Sequence, residues 1–199
     1  NKKLHNINLS LKTFTLPLLK FIGSRSYLSY YNQNLFLITG TGILMYASLD
    51  DLKDEKFIFK GIDTDFVNIV GDYRKKGRRY PTKVKNLLIK NNKIYVSYMK
   101  KVNDDCFTNA ILVSNLEFER IIFNEFFDMN ECQPILTNEA GGNLSDFKDN
   151  KILMTIGDHT IFETQVQINN NPQNINKPQN LYSLIGKIIS IDEKTKEYK

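Results

Sequence analysis

The chain has 199 residues, 41% of them hydrophobic, which is enough for a packed core and too apolar for a disordered tail. Its formal charge of +5 is spread along the chain among lysines and asparagines, which argues against nucleic-acid binding as its main role. No run of about 18 apolar residues occurs, so the sequence predicts no membrane-spanning helix.

Residues 1–26 are poorly patterned. The stretch LSLKTFTLPLLKFIG is interrupted by Lys12, Pro17 and Lys20, so it lacks the unbroken apolar region of a signal peptide. YLSYY and NLFLITG read as strands around an Asn-Gln-Asn turn, and GILMYASL follows the turn Gly40-Thr41-Gly42. LDDLKDEK reads as a loop before a fourth strand, KFIFKGI. Together these make a first unit over 27–62.

Residues 63–82 read as a connector. It carries the one concentrated charge run, Arg74, Lys75, Lys76, Arg78 and Arg79, framed by Tyr73 and Tyr80. Such a run can bind a polyanion, but is more often a solvated loop. A second unit, 83–127, contains four successive strands: VKNLLIK, KIYVSYM, TNAILVSNL and ERIIFNEFF. Their alternation is only partial, as expected of strands packed on both faces. A third unit, 135–199, begins with GGNLSDF and KILMTIGD. After a long polar loop over 159–179 it continues with LIGKIISID and a last strand, KEYK. Loops of that length are commonly functional or disordered.

The three units repeat. Leu35 in NLFLITG, Ile94 in KIYVSY and Ile152 in KILMTIG occupy equivalent places in second strands, about 58 residues apart each time. A period of this size with strands in each copy predicts an all-β fold, a β-propeller of four-stranded antiparallel blades. Propellers close with about four to eight blades, and about three fit here, so the chain is expected to be a segment of a larger ring.

Cys106 and Cys132 are the only cysteines, with no C-x-x-C spacing for zinc or redox work. They lie at opposite ends of the strand pair NAILVSNLEF and RIIFNEFF. A disulfide, implying an oxidising compartment, and two small buried hydrophobes are both open readings.

The run GGNLSDFKDNKILMTIGD, a long variable loop and then NLYSLIGKIISID resemble the glucose/sorbosone dehydrogenase family, as does KNLLIKNNKIYVSYMKK before them. The resemblance covers about residues 84–192 and rests most on Gly141-Gly142, Gly157-Asp158 and Gly186-Lys187. It implies a six-bladed propeller that oxidises a sugar hydroxyl with pyrroloquinoline quinone (PQQ) and calcium, a histidine acting as base, and electrons passing to an acceptor. It also implies a periplasmic or extracellular protein.

The family's base segment falls on Asn138, Glu139 and Asn143, with Glu139 where the family has its histidine. A carboxylate, of ordinary pKa about 4.3, can also take a proton. His5 and His159 do not match the family position. The family's Arg-Asn-Pro cofactor segment and its calcium-binding backbone positions are absent from these residues, and Asn170-Asn171-Pro172 is a superficial echo. No cofactor-binding or metal-binding residue is therefore assigned within this chain. The alternative reading is a non-catalytic propeller that binds a saccharide or protein partner on the same face.

Overall fold

Hairpins with left-handed turns set the architecture. Strand β1 (Ser26–Tyr31) pairs antiparallel with β2 (Asn34–Thr39) across Asn32 and Gln33, whose φ angles are 44° and 60°. A two-residue turn with both φ positive matches the right-handed twist of the flanking strands, and asparagine tolerates that conformation better than most side chains. The same device recurs at Asn91-Asn92 (φ 51° and 57°) and, within a three-residue turn, at Asp149-Asn150 (φ 59° and 57°). The structure is a computed structural model that describes residues 25–51, 58–71, 74–75, 78–79, 83–103, 106–132, 140–158 and 177–199.

The first sheet continues from β2 through β3 (Leu44–Ser48) to β4 (Lys60–Thr64), all antiparallel. The last strand thus lies later than the expected KFIFKGI, of which residues 56 and 57 fall outside the described residues. A short helix, α1 (Phe66–Val70), follows in what the sequence presented as a plain connector. Its Phe66 ring is fully buried and occupies the place a Cβ would take on Gly42, which has φ +97°. Only glycine allows that turn and that ring together. Beyond α1, β5 (Arg74–Lys75) pairs with β6 (Arg78–Arg79), so part of the basic run forms a small hairpin.

The second sheet contains β7 (Val84–Lys90), β8 (Lys93–Asn103) and β9 (Cys106–Asn115). The stretch ERIIFNEFF, expected as one strand, is divided. Residues Arg120–Ile121 form β10, which pairs parallel with β4 of the first sheet, and Asn124–Asp128 form β11, which completes the second. The division has a physical cause. Asp63 N donates to Glu119 O at 3.0 Å and Phe123 N donates to the Asp65 carboxylate at 3.0 Å, while Ile121 and Phe123 enter the core.

The third sheet has the order β12 (Gly141–Phe147), β13 (Lys151–Ile156), β14 (Ile188–Asp192). LIG, expected within the last of these strands, is a turn that precedes it, and KEYK contributes a single bridge between Ile191 and Tyr198. Leu35, Ile94 and Ile152 are each the second residue of the second strand in their sheet.

First strands lie side by side, β7 touching both β1 and β12. Two cores fill the gaps between successive sheets. Ile94, Val96 and Leu112 join Phe36, Ile38 and Phe66 on one side, whereas Tyr95 and Ile111 join Ile152, Met154 and Ile189 on the other. Neighbouring residues of β8 therefore feed opposite cores, which is why its sequence is a nearly continuous apolar run. Each such side chain contributes about 1.5–3 kcal/mol on burial. Among the described residues no helix is long and apolar enough to cross a membrane.

Candidate functional site at the seam of the second and third sheets

Strands β7 and β12 both break register at the same end, between Val84 and Asn86 and between Gly141 and Leu144. Bulges redirect a strand locally and are frequent beside functional sites. Here they let two backbones approach. A Cβ on Gly142, at φ +94°, would stand 2.5 Å from Lys85 Cβ, and one on Gly141, at φ +71°, would stand 2.5 Å from the Gly157 amide nitrogen. The glycine pair is thus required by contact as well as by conformation.

Polar side chains from the apolar strands of the second sheet hold this seam. The Ser97 hydroxyl, fully buried on β8, donates to the Gly142 carbonyl. Asn109 Nδ2, fully buried on β9, donates to the Ala140 carbonyl at 2.7 Å, and the same oxygen accepts the Gly157 amide at 2.9 Å. Asn86 Nδ2 donates to Asn143 Oδ1 at 2.7 Å, and the Asn143 amide donates to the Thr155 hydroxyl at 3.0 Å. Thr108 Oγ1 and Asn109 Oδ1 are buried with no hydrogen-bond partner among the described residues. Such an atom costs about 1–3 kcal/mol, so the seam carries polarity that simple packing would not retain.

Three glycine motifs separated in sequence meet here. Gly186 N donates to Gly157 O at 3.0 Å and Ile156 N to Lys187 O at 2.8 Å, so Gly141-Gly142, Gly157-Asp158 and Gly186-Lys187 share one end of the third sheet. Glu131 braces them, accepting from the Ser183 hydroxyl at 2.7 Å and the Leu184 amide at 3.0 Å.

Cys106 and Cys132 form a disulfide with Cα atoms 5.0 Å apart. Together with Asn109 it fixes the residues on both sides of segment 133–139 to the start of β9. Cys132 is bonded to the first residue of that strand, and Ala140 is bonded to a residue three positions along it.

Of the predicted site residues, Asn143 lies on β12 with its side-chain oxygen engaged by Asn86, while Asn138 and Glu139 lie outside the described residues, as do His5 and His159. Ser97, Asn109 and Lys85 were not singled out from the sequence. The signal available for them was a polar residue inside an apolar strand run, KIYVSY or TNAILV, where a solvated strand would alternate.

Beside this end, Lys100 pairs with Glu125 at 2.5 Å and Asp128 at 2.6 Å. Burial alone would lower the ammonium's pKa, but the hydrogen bonds and charges of Asp128 and Glu125 outweigh it and raise it. The nearby Tyr98 phenol is pushed up by burial first and then by the Glu125 and Asp128 charges, so it stays neutral.

Calcium needs about 6–8 oxygen ligands. Among the described residues no group of three or more His, Cys, Asp or Glu side chains converges as a metal site. The amides and hydroxyls of the seam do not by themselves fit a calcium ion.

No protein-family model matches the chain, and no curated protein matches it in sequence. Solved structures do. A crystal structure of glucose dehydrogenase superposes with a TM-score of 0.56 at 15% identity over 83% of this chain and 43% of its own. The soluble aldose sugar dehydrogenase of Escherichia coli, in the apo-form, gives 0.58 at 14% identity over 84% of this chain and 44% of its own. An oxidoreductase of the glucose dehydrogenase type from Thermus thermophilus gives 0.52 at 13% identity over 84% and 43%. The chain therefore spans less than half the length of these structures, and over most of its own length it has the all-β fold of the sugar dehydrogenases.

Proposed function

We propose that this chain supplies three blades of a six-bladed quinoprotein sugar dehydrogenase, whose whole protein oxidises a sugar hydroxyl and passes the electrons to an acceptor. The observation that supports it best is the meeting of the three glycine motifs at one end of the third sheet, in a chain with the fold of glucose and aldose sugar dehydrogenases. The blades in this reading run over about 27–62, 83–127 and 135–199.

Glu139 takes the sugar hydroxyl proton, with Asn138 and Asn143 flanking it, as the hydride leaves the same carbon. Fixed neighbours favour that task. Cys132, through the disulfide, and Ala140, through its doubly bonded carbonyl, are tied to β9, and fixed points near a base lower the cost of placing it. When bound, PQQ would supply the hydride acceptor; no residue of this chain is assigned to hold it or calcium. The disulfide agrees with a periplasmic or extracellular location, since such bonds persist in oxidising compartments.

The test uses the whole protein that contains this chain, incubated with PQQ and calcium, desalted, and supplied with aldoses and an electron-accepting dye. Sugar-dependent dye reduction is expected. Absence of reduction with every aldose, together with loss of quinone absorbance on desalting, would reject the reading in favour of a binding module.

A further inference from the structure

A cleft lies at the end of the second sheet away from the seam. It has a volume of about 440 Å³ and is lined by Lys93, Ser114, Asn115, Glu117, Arg120 and Asn124, among others. Asn115 and Asn109 are six residues apart on β9, about 20 Å at the rise of a strand, so the cleft is separate from the Gly142 seam. Its origin is the departure of β10. Where a plain hairpin would run from β9 into β11, the chain leaves to pair with β4, and the gap stays open. The Ser114 hydroxyl, donating to the Ile122 carbonyl at 2.7 Å, ties the returning chain to the sheet.

The cleft's chemistry is specific in sign. Lys93 and Arg120 bring two positive charges and Glu117 one negative. Arg120 is only loosely engaged, with Asp63 at 3.6 Å and both side chains about 70% exposed, so its guanidinium keeps free donors. Lys93, Asn115, Glu117 and Asn124 have no side-chain partner among the described residues. The lining residues therefore carry one net positive charge, with Asp63 outside the lining beside Arg120, next to two amides, each with donors and an acceptor, and a carboxylate that accepts hydrogen bonds from hydroxyls. The volume falls within the range of small-molecule sites, about 300–1,000 Å³.

We infer that this cleft binds a sugar-sized polyol carrying a single anionic group, a carboxylate or a phosphate. Arg120 and Lys93 hold the anion, and Asn115, Asn124 and Glu117 take the hydroxyls. The inference does not depend on the oxidation proposed above.

Titration of the full-length protein with gluconate, with glucose 6-phosphate and with neutral glucose, followed by amide shifts in residues 113–124, tests it. Saturable binding of at least one anion is expected, the tighter one naming the group, with glucose weaker than that anion. Arg120→Gln and Lys93→Gln should each weaken that binding about tenfold or more, whereas Lys60→Gln, at an exposed lysine of β4, should not. These side chains line an open cleft, so melting temperatures should stay at the parent value. No saturable binding of either anion, equal affinity in the Gln variants and the parent, or an equal loss in Lys60→Gln would each overturn the site.

Discussion

The Lys90 ammonium lies 2.6 Å from the Glu193 carboxylate, with both side chains more than nine-tenths buried. Lys90 ends β7 and Glu193 follows β14, so the pair joins the second sheet to the third. Lys90 also reaches Asp146 at 2.6 Å and the Lys151 carbonyl at 3.3 Å, and the Tyr95 hydroxyl donates to Glu193 at 3.1 Å. Removing one partner leaves the other charged in a dry site. Lys90→Met should therefore lower stability by about 3–5 kcal/mol in urea unfolding, and the double change with Glu193→Met should recover much of that. A single-variant cost below about 1 kcal/mol would show that water reaches the pair.

The same cluster predicts an alkaline limit. Burial alone would lower the Lys90 pKa, but hydrogen bonds and charge from Asp146 and Glu193 raise it above its ordinary value. Burial, then the Glu193 charge, also raises the Tyr95 phenol. Both groups hold their protons more tightly when folded. Their stabilisation is thus complete below the unfolded values, about 10, and is lost as pH rises through the folded ones. Urea midpoints should be flat with respect to these groups from pH 7 to about 10 and fall above it. Tyr95 phenolate absorbance should appear only with unfolding, which Tyr95→Phe would confirm by subtraction.

Gly142→Ala places a Cβ 2.5 Å from Lys85 Cβ at φ +94°. Strain and overpacking together should cost about 2–4 kcal/mol. Gly61→Ala is the matched control, since nothing lies within 4 Å of its Cβ position and no left-handed φ constrains it. Its change should stay within about 0.5 kcal/mol. Equal effects from the two would remove the argument that the glycine pair is required by close approach.

The Cys106–Cys132 bond spans a sequence separation of 26 residues. On the loop-entropy account it contributes about 3.5 kcal/mol. Alkylation of denatured, unreduced protein should leave the mass unchanged, and a double serine variant should unfold at correspondingly lower denaturant. Two alkylated thiols without reductant would contradict the bond.

Hairpin turns and second strands were legible because Asn-rich turns and apolar runs recur at one period, and Leu35, Ile94 and Ile152 do fall at one structural position. Strand β10 was not legible: two residues that pair parallel with another sheet leave no periodic trace, and ERIIFNEFF reads as one run. Helix α1 is five residues long and shows no amphipathic repeat, so its Phe66 emerged only through the space above Gly42. At the seam, the glycines were readable by motif, whereas Ser97 and Asn109 were hidden because they sit within mostly apolar strand runs, with Val96, Tyr98 and Ala110 beside them in the core between the first and second sheets. Lys90 and Glu193 sit beside turns, where charge normally means solvent, and their burial depends on the packing of two sheets.

The role given to segment 133–139 is tested most directly by turnover of Glu139→Gln in the whole protein, measured as aldose-dependent dye reduction at saturating quinone and calcium. If the carboxylate takes the sugar hydroxyl proton, the rate should fall by about 10²–10⁴ while the melting temperature stays at the parent value. Undiminished turnover in a protein of parent stability would contradict the assignment and move the base elsewhere.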